Sequence, residues 1–596
     1  MNFRFDINGL RCLAVIMVVF FHFKVPYLHG GFSGVDIFFV ISGFLMSKIY
    51  IKKLDKGLIG IFEFYKSRFS RIYPALFLSI AITYAFLFFT SSPFSLADFF
   101  NESKYALLFA SNYFYMHNSG YFDVSSDNRW LLHTWSLSVE WQFYMLFPIL
   151  VFLSFKIFGK SSLIALYIVL LTISLYLCLY VYSEDKNISF YSVASRSWEL
   201  LFGALISLIP QQKKINPRII EISGLLLIFY TLFFLANSQN WPDTRTIIPV
   251  LGAGLVIYAQ IDNYKSLLRN RVFQYIGSIS YSLYLWHWII FSYLVNNEIG
   301  FNLKTISLAI FSSFILAHLS YKFLEGFNGK NIKIIITMMI IFFLLATPIN
   351  YFLNKKIDKL YSYKNYGASL SSEKQFGAKP NLCFLTSVNK SFIDFNKNEC
   401  LKYEANKKNI LLLGDSHAAQ LSLAVKETYP EYNIIQATAS GCHPWPNSLG
   451  ASRCTDMMNY IYNSYITNKK FDKVIVSAYW LTAGTSEAKS GLSLITSKFK
   501  HITNDLVIIG QTPVFKVPFY QIAIKTDRAE YKLHIDNKTT DFNELITKFS
   551  RENRIPYFNV YYLFDENEMI SKTGVPFMFD KDHFTQYGAM KIISHL

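Results

Sequence analysis

About eleven apolar runs, each near the roughly 17–25 residues that cross a bilayer as a helix, crowd residues 1–353. They centre on 10–24, 34–50, 74–90, 136–156, 162–182, 192–209, 219–236, 246–260, 272–294, 304–322 and 332–353. In lipid the backbone finds no water to bond, so such runs must close their hydrogen bonds internally. Residues 354–596 lack these runs and read as a soluble half. The expected fold is a polytopic α-helical membrane domain, N-terminus cytoplasmic, followed by an extracytoplasmic α/β domain. Composition agrees: 16% of the 596 residues are charged, against about 25% in soluble proteins.

Loop charge gives the orientation. The even-numbered loops carry Lys52, Lys53, Lys66, Arg68 and Arg71, then Lys156 and Lys160, Lys213 and Arg218, Arg269 and Arg271, Lys322 and Lys330. The odd loops carry far fewer, among them Lys104, Arg129, Lys186 and Arg245. Positive loops stay inside, so an odd number of spans puts the second half outside. The net charge of +17 is therefore a topology signal, and nucleic acid is not an expected partner. Arg11 inside the first run, and Pro26-Tyr27-Leu28-His29 after it, fit a retained span rather than a cleaved signal peptide.

Cysteine usage points the same way. Cys12 and Cys178 lie in apolar runs, whereas Cys383, Cys400, Cys442 and Cys454 follow the last one. An even set outside the cell suits disulfides. Four cysteines allow three pairings. Proximity favours Cys383 with Cys400 and Cys442 with Cys454.

Ionisable groups within spans are costly and mark function or pairing. Arg11 and His22 are eleven residues apart, which returns to nearly the same helix face about 16 Å along the axis. Taken alone, they are equally well read as a snorkelling arginine and a packed histidine.

Their context resembles the membrane acyltransferase-3 family. The matching residues are Gly9-Leu10-Arg11-Cys12-Leu13-Ala14 with His22, Gly34-Val35-Asp36 through Ser42-Gly43-Phe44, and Arg68-Phe69-Ser70-Arg71. They continue with His133-Thr134-Trp135-Ser136 through Glu140, Arg196-Ser197-Trp198-Glu199, and Ser280-Tyr281-Ser282 through Trp286-His287. The resemblance covers residues 1–326, with 327–353 as an additional span. It departs at Glu325, which is followed by Gly326-Phe327 instead of nearby Pro and Arg. It implies an acyl-CoA donor on the cytoplasmic side. Arg68 and Arg71, on a cytoplasmic loop, with Arg11, then become the expected acyl-CoA ligands, since guanidinium suits phosphate. His22 becomes the acid–base or relay group. Glu140, at the outer end of the fourth span, becomes the acceptor of the incoming hydroxyl's proton. Asp36, Arg196 and Glu199 are the expected supporting polar network.

Residues 354–406 read as an irregular linker. After them Asn409-Ile410-Leu411-Leu412-Leu413 reads as a buried strand, followed by Gly414-Asp415-Ser416-His417 and a helical stretch. A serine at a strand-to-helix turn has an exposed hydroxyl beside backbone N–H groups, though a lone serine there also caps a helix. Near the C-terminus, Asp580 and His583 supply a carboxylate and an imidazole three residues apart. Together these resemble the SGNH hydrolase family over 407–596. That resemblance implies Ser416 as nucleophile, His583 as base, and Asp580 holding its tautomer. It also implies an oxyanion hole from the Ser416 and Gly441 backbone. The family's second oxyanion residue, an Asn, has no counterpart in Ser477-Ala478-Tyr479-Trp480. His417 is expected to point along its helix and is not chosen as base.

The fused pair resembles bacterial O-acetyltransferases of surface glycans. The implied activity moves acetyl from cytoplasmic acetyl-CoA, as co-substrate, across the inner membrane to a polysaccharide hydroxyl, O-antigen first, with the soluble half in the periplasm. Peptidoglycan or capsule acetylation, a tethered carbohydrate esterase and a glycan transporter are the alternatives. No metal is expected.

Overall fold

The protein is described by a computed structural model covering residues 3–91, 93–118, 129–181, 186–210, 215–235, 241–260, 266–297, 299–323, 332–360, 370–377, 382–386, 389, 391–448 and 450–596. The chain divides into two compact units, one helical within residues 1–352 and one α/β within 353–596.

Every expected apolar run carries a helix, but their lengths differ. Among the described residues, eight helices are long and apolar enough to cross a membrane, including Phe5–His22, Leu58–Thr90, Thr134–Phe158 and Pro217–Phe234. Val193–Ile206 and Ile247–Ala259 are shorter, and Arg271–Asn296 is long but interrupted by polar residues. The short helices sit close to neighbours. Gly43 and Gly203 face each other's helices, where a Cβ would overlap the carbonyl oxygens of Leu200 and Val40 respectively. Glycine lets the two backbones touch, which is how small residues drive helix association in lipid.

Two expectations change here. Arg68 and Arg71 do not lie on a loop; they sit inside Leu58–Thr90, which runs straight through Pro74. Proline removes one helical hydrogen bond, but packed neighbours make that tolerable within a membrane protein. The stretch before the fourth span also holds two helices, Pro93–Leu107 and Ser111–Asn118.

The second unit is a parallel sheet. Its strands are β1 Phe384–Leu385, β2 Asn409–Gly414, β3 Asn433–Ala439, β4 Lys473–Ser477, β5 Leu506–Ile509 and β6 Tyr557–Phe558. They lie in the order β1-β3-β2-β4-β5-β6, all parallel. Strand residues alternate sides. Leu411, Leu413, Val474 and Val476 enter one apolar core, while Ile410, Leu412 and Ile475 enter the other. A sheet covered on both faces explains why β2 is apolar throughout.

The supposed linker is a second correction at the domain level: it contributes edge strand β1, paired with Thr438 and Ala439. Two residues carry too little pattern to read as a strand. Disulfides join Cys383 to Cys400 and Cys442 to Cys454, while Cys12 and Cys178 are free and buried.

Candidate functional site

The strand order reverses around β2: β3 follows it on one side and β4 on the other. Such a switch point opens a crevice at the carboxyl ends of the strands. Gly414 ends β2 there with φ +146°, and a Cβ on it would overlap the Ser477 carbonyl at the end of β4. The chain therefore turns sharply and delivers Ser416 to the start of the helical turn Ser416–Ala419.

Ser416 is buried, and its Oγ lies 3.0 Å from His583 Nε2. His583 Nδ1 lies 2.8 Å from Asp580 Oδ2. A carboxylate only accepts, so Nδ1 carries the hydrogen and Nε2 presents its lone pair to the serine hydroxyl. Asp580 is fixed in turn, because its Oδ1 accepts from the backbone N–H groups of Asp582 and His583.

Asp415 orients the turn rather than reacting. It accepts from the N–H groups of His417 and Tyr479, each at 2.8 Å, tying the serine turn to the end of β4. Burial pushes its carboxyl up, against the opposing pull of His417 and those two N–H groups. Gly441 follows β3 with φ +63°, on the strand adjacent to β2 and at the same sheet edge as Ser416. In the segment that lacks the expected Asn, the Tyr479 N–H donates to Asp415 and so is not shown as an oxyanion donor.

Further contributors complete the site: His417, Gln420, and Asp582, the neighbour of His583 that the family spacing sets second to Asp580. His417 does not point away from the site: its ring lies 4.8 Å from that of His583 and stacks on Tyr479 at 5.1 Å. The helix it begins ends after four residues, which is too short to carry the side chain off. Asp582 is a second carboxylate on His583 Nδ1, at 3.1 Å, and is 3.8 Å from His417 Nε2. Gln420 accepts from the Phe584 N–H at 2.6 Å, clamping the histidine loop to the serine helix. No local pattern announces a clamp between residues 164 positions apart.

Although burial raises its carboxyl, Asp582 is held well below the usual carboxylate range by His583 and His417 beside it. A depressed folded value means stability that is fully present above the unfolded value, about pH 4, and lost as pH falls through the folded one. Asp582→Asn is therefore expected to flatten the acid side of the unfolding profile. For a unit of this size each kcal/mol is worth roughly 2–4 °C in midpoint. Thermal unfolding of wild type and variant between neutral and acid pH measures it.

Among the described residues the helical unit shows at least three cavities, one of them, about 660 Å³, lined by Arg4, Arg11, Lys48 and Arg71 among others. Of the other two, the first, about 110 Å³, is lined by Arg11, Arg68, Arg71, Glu140, Ser42 and Tyr144. Glu140 accepts from the Ser42 and Tyr144 hydroxyls. It is placed with the arginines nearly two turns inside Thr134–Phe158, not at the helix end where the hydroxyl of an acceptor was expected. Arg68 is buried, and its Nε has no hydrogen-bond partner among the described residues.

The second cavity, about 310 Å³, is lined by His22, His133, Trp288, Arg196, Trp241 and Tyr191 among others. Arg196 pairs with Asp36 at 2.5 Å and with Glu199 at 3.2 Å, all three fully buried. Trp241 donates to Asp36 at 3.2 Å. Arg11 and His22 share one helix but serve different cavities. His133 and His287 had been seen only as parts of longer motifs. Both lie beside His22, His287 at 3.0 Å between ring nitrogens.

The acyltransferase domain model of the acyltransferase-3 family matches residues 4–317, and that of the SGNH domain fused to such acyltransferases matches 383–596. The O-acetyltransferase OatA of Staphylococcus aureus is 32% identical over 344 residues, 54% of this chain and 56% of that protein. The peptidoglycan O-acetyltransferase OatA of Listeria monocytogenes is 30% identical over 348 residues, 55% of this chain and 56% of that protein. The chain thus spans just over half the length of these curated relatives. A solved structure, the periplasmic domain of a lipopolysaccharide acetyltransferase of Salmonella ser. Paratyphi A, aligns over 39% of this chain and 94% of its own, at 18% identity and a TM-score of 0.31.

Proposed function

We propose that this chain, which belongs to the acyltransferase-3 family and carries a fused SGNH domain, is an O-acetyltransferase of a cell-surface glycan. Acetyl-CoA is the donor. Arg11, Arg68 and Arg71 bind its phosphates from the cytoplasmic side, and His22 assists departure of the acetyl group from the thioester. Ser416 then carries the acetyl as an ester. His583 takes the Ser416 proton as the ester forms and passes it to the leaving group; it then takes the proton of the sugar hydroxyl that attacks the ester and returns it to Ser416 Oγ as the ester bond breaks. The products are coenzyme A thiol and an O-acetylated sugar, so atoms and protons balance. Backbone N–H groups of Ser416 and Gly441 receive the developing oxyanion.

One observation carries this reading: the aligned Ser416, His583 and Asp580, with 3.0 and 2.8 Å contacts at a sheet switch point, occur in the same chain as a cavity lined by Arg11, Arg68 and Arg71. An esterase needs only the first and a transporter neither. The resemblance of the fusion favours O-antigen as acceptor, while the name of the Listeria relative points to peptidoglycan. Mass spectrometry of both glycans from cells with and without the protein tests the reading. Acetyl groups on one of them are expected to vanish with the protein. Unchanged acetylation of every surface glycan contradicts it.

A further inference from the structure

Three imidazoles meet in the helical unit, and their hydrogen bonds fix which atom of His22 is basic. His22 ends the helix Phe5–His22, and His287 lies on Arg271–Asn296. These two helices are held in register at their other ends. Asn8 Nδ2 donates to the Gln274 carbonyl at 2.7 Å, and a Cβ on Gly277 would overlap the Asn8 carbonyl. That packing sets the His22 and His287 rings edge to edge and nearly coplanar, centroids 5.2 Å apart and 17° from parallel, with His22 Nδ1 3.0 Å from His287 Nε2.

The other nitrogen of His287, Nδ1, lies 3.1 Å from the Leu283 carbonyl oxygen. A carbonyl only accepts, so Nδ1 must carry the hydrogen. In the neutral ring Nε2 is then a bare acceptor. It can bond His22 Nδ1 only if that atom is the donor. His22 Nε2 is left with the lone pair, on a ring that lines the 310 Å³ cavity. His287 is fully buried and does not line that cavity. His133 does line it, and neither of its ring nitrogens has a partner among the described residues.

We propose that His287 is a positioning residue: it holds His22 in the Nδ1–H tautomer, so that His22 Nε2 is the atom that takes the proton of the group attacking the thioester and passes it to the departing coenzyme A sulfur in the first acyl transfer. This rests on the acetyl-CoA-dependent reading above. With the tautomer unfixed, an N–H is offered where a lone pair is needed, and the base is lost without any change in the donor's binding groups.

The test uses the full chain in proteoliposomes, with acetyl-CoA consumption as readout. His287→Leu removes the acceptor and is expected to lower kcat by about 10²–10³, the scale of a general base, with KM for acetyl-CoA essentially unchanged. In His287→Gln, the side-chain oxygen accepts from His22 and the amide donates to Leu283, so most of the activity returns. In a His22→Ala background His287→Leu costs nothing further, because it acts through His22. Should His287→Leu fail to fold, His287→Asn, whose amide is too short to reach His22, replaces it. The assignment is overturned if His287→Gln is as impaired as Leu or Asn at wild-type thermal midpoint, or if the His22 and His287 losses multiply. Wild-type protein that consumes no acetyl-CoA overturns the functional reading itself and this assignment with it, an outcome distinct from the other two.

Discussion

Ser416→Ala is expected to lower acetyl transfer to the glycan by roughly 10⁴-fold or more, the scale seen when a triad nucleophile is removed. The side chain is small and buried, and its one-atom loss leaves the clamp between Gln420 and Phe584 and the Asp415 bonds to His417 and Tyr479 in place. The fold is therefore retained, and the loss reads chemistry. In the relay, the variant still takes acetyl-CoA into the helical unit but has no oxygen to receive the acetyl group. If the helical unit instead acetylates the sugar directly, Ser416→Ala leaves glycan acetylation undiminished. That result removes the serine ester from the mechanism. The measurement is acetyl content of the glycan, per molecule of folded protein, in cells complemented with each form.

His22→Ala is the companion variant. Acetyl-CoA consumption is expected to fall by about 10²–10⁴, as for loss of a general acid–base group. Hydrolysis of a small activated acetyl ester by Ser416 is expected to stay near wild type, since Ser416, His583 and Asp580 all belong to the α/β unit. Ser416→Ala is expected to lose both, because without the serine oxygen the acetyl group has no acceptor and turnover of acetyl-CoA stops. A His22 variant that loses both activities in equal measure would mean the two centres are one, or that the helical unit has collapsed; retained thermal unfolding separates those outcomes.

The serine centre was largely legible because each part sits on a local signal. A strand run precedes Gly414-Asp415-Ser416, and Asp580 and His583 are three residues apart. What the sequence could not give was contacts made across long separations. His287 and His22 are 265 residues apart, and nothing near either announces the other. Gln420 is an ordinary helical glutamine until the fold brings Phe584 to it. His417 was misjudged because a helix was assumed to continue where the structure ends it after Ala419. Arg68 and Arg71 were placed on a loop because dense positive charge and Pro74 both mimic one. The helix persists because a 33-residue element needs only part of its length in apolar surroundings. Asp36, Arg196 and Glu199 are grouped by the family resemblance and by the cost of leaving a charge unpaired in lipid; Arg196 lies within ion-pair distance of both carboxylates.

The central claim is that one acetyl group travels from coenzyme A to Ser416. It is tested most directly by supplying isotopically labelled acetyl-CoA to proteoliposomes without glycan, only on the face opposite the SGNH domain, and sequencing the peptide that bears Ser416 by mass spectrometry. The account predicts labelled acetyl on Ser416, absent from the Ser416→Ala and His22→Ala proteins. Labelled glycan formed on later addition of acceptor, with Ser416 never labelled, would contradict it, as would labelling that occurs only when acetyl-CoA shares a face with the SGNH domain.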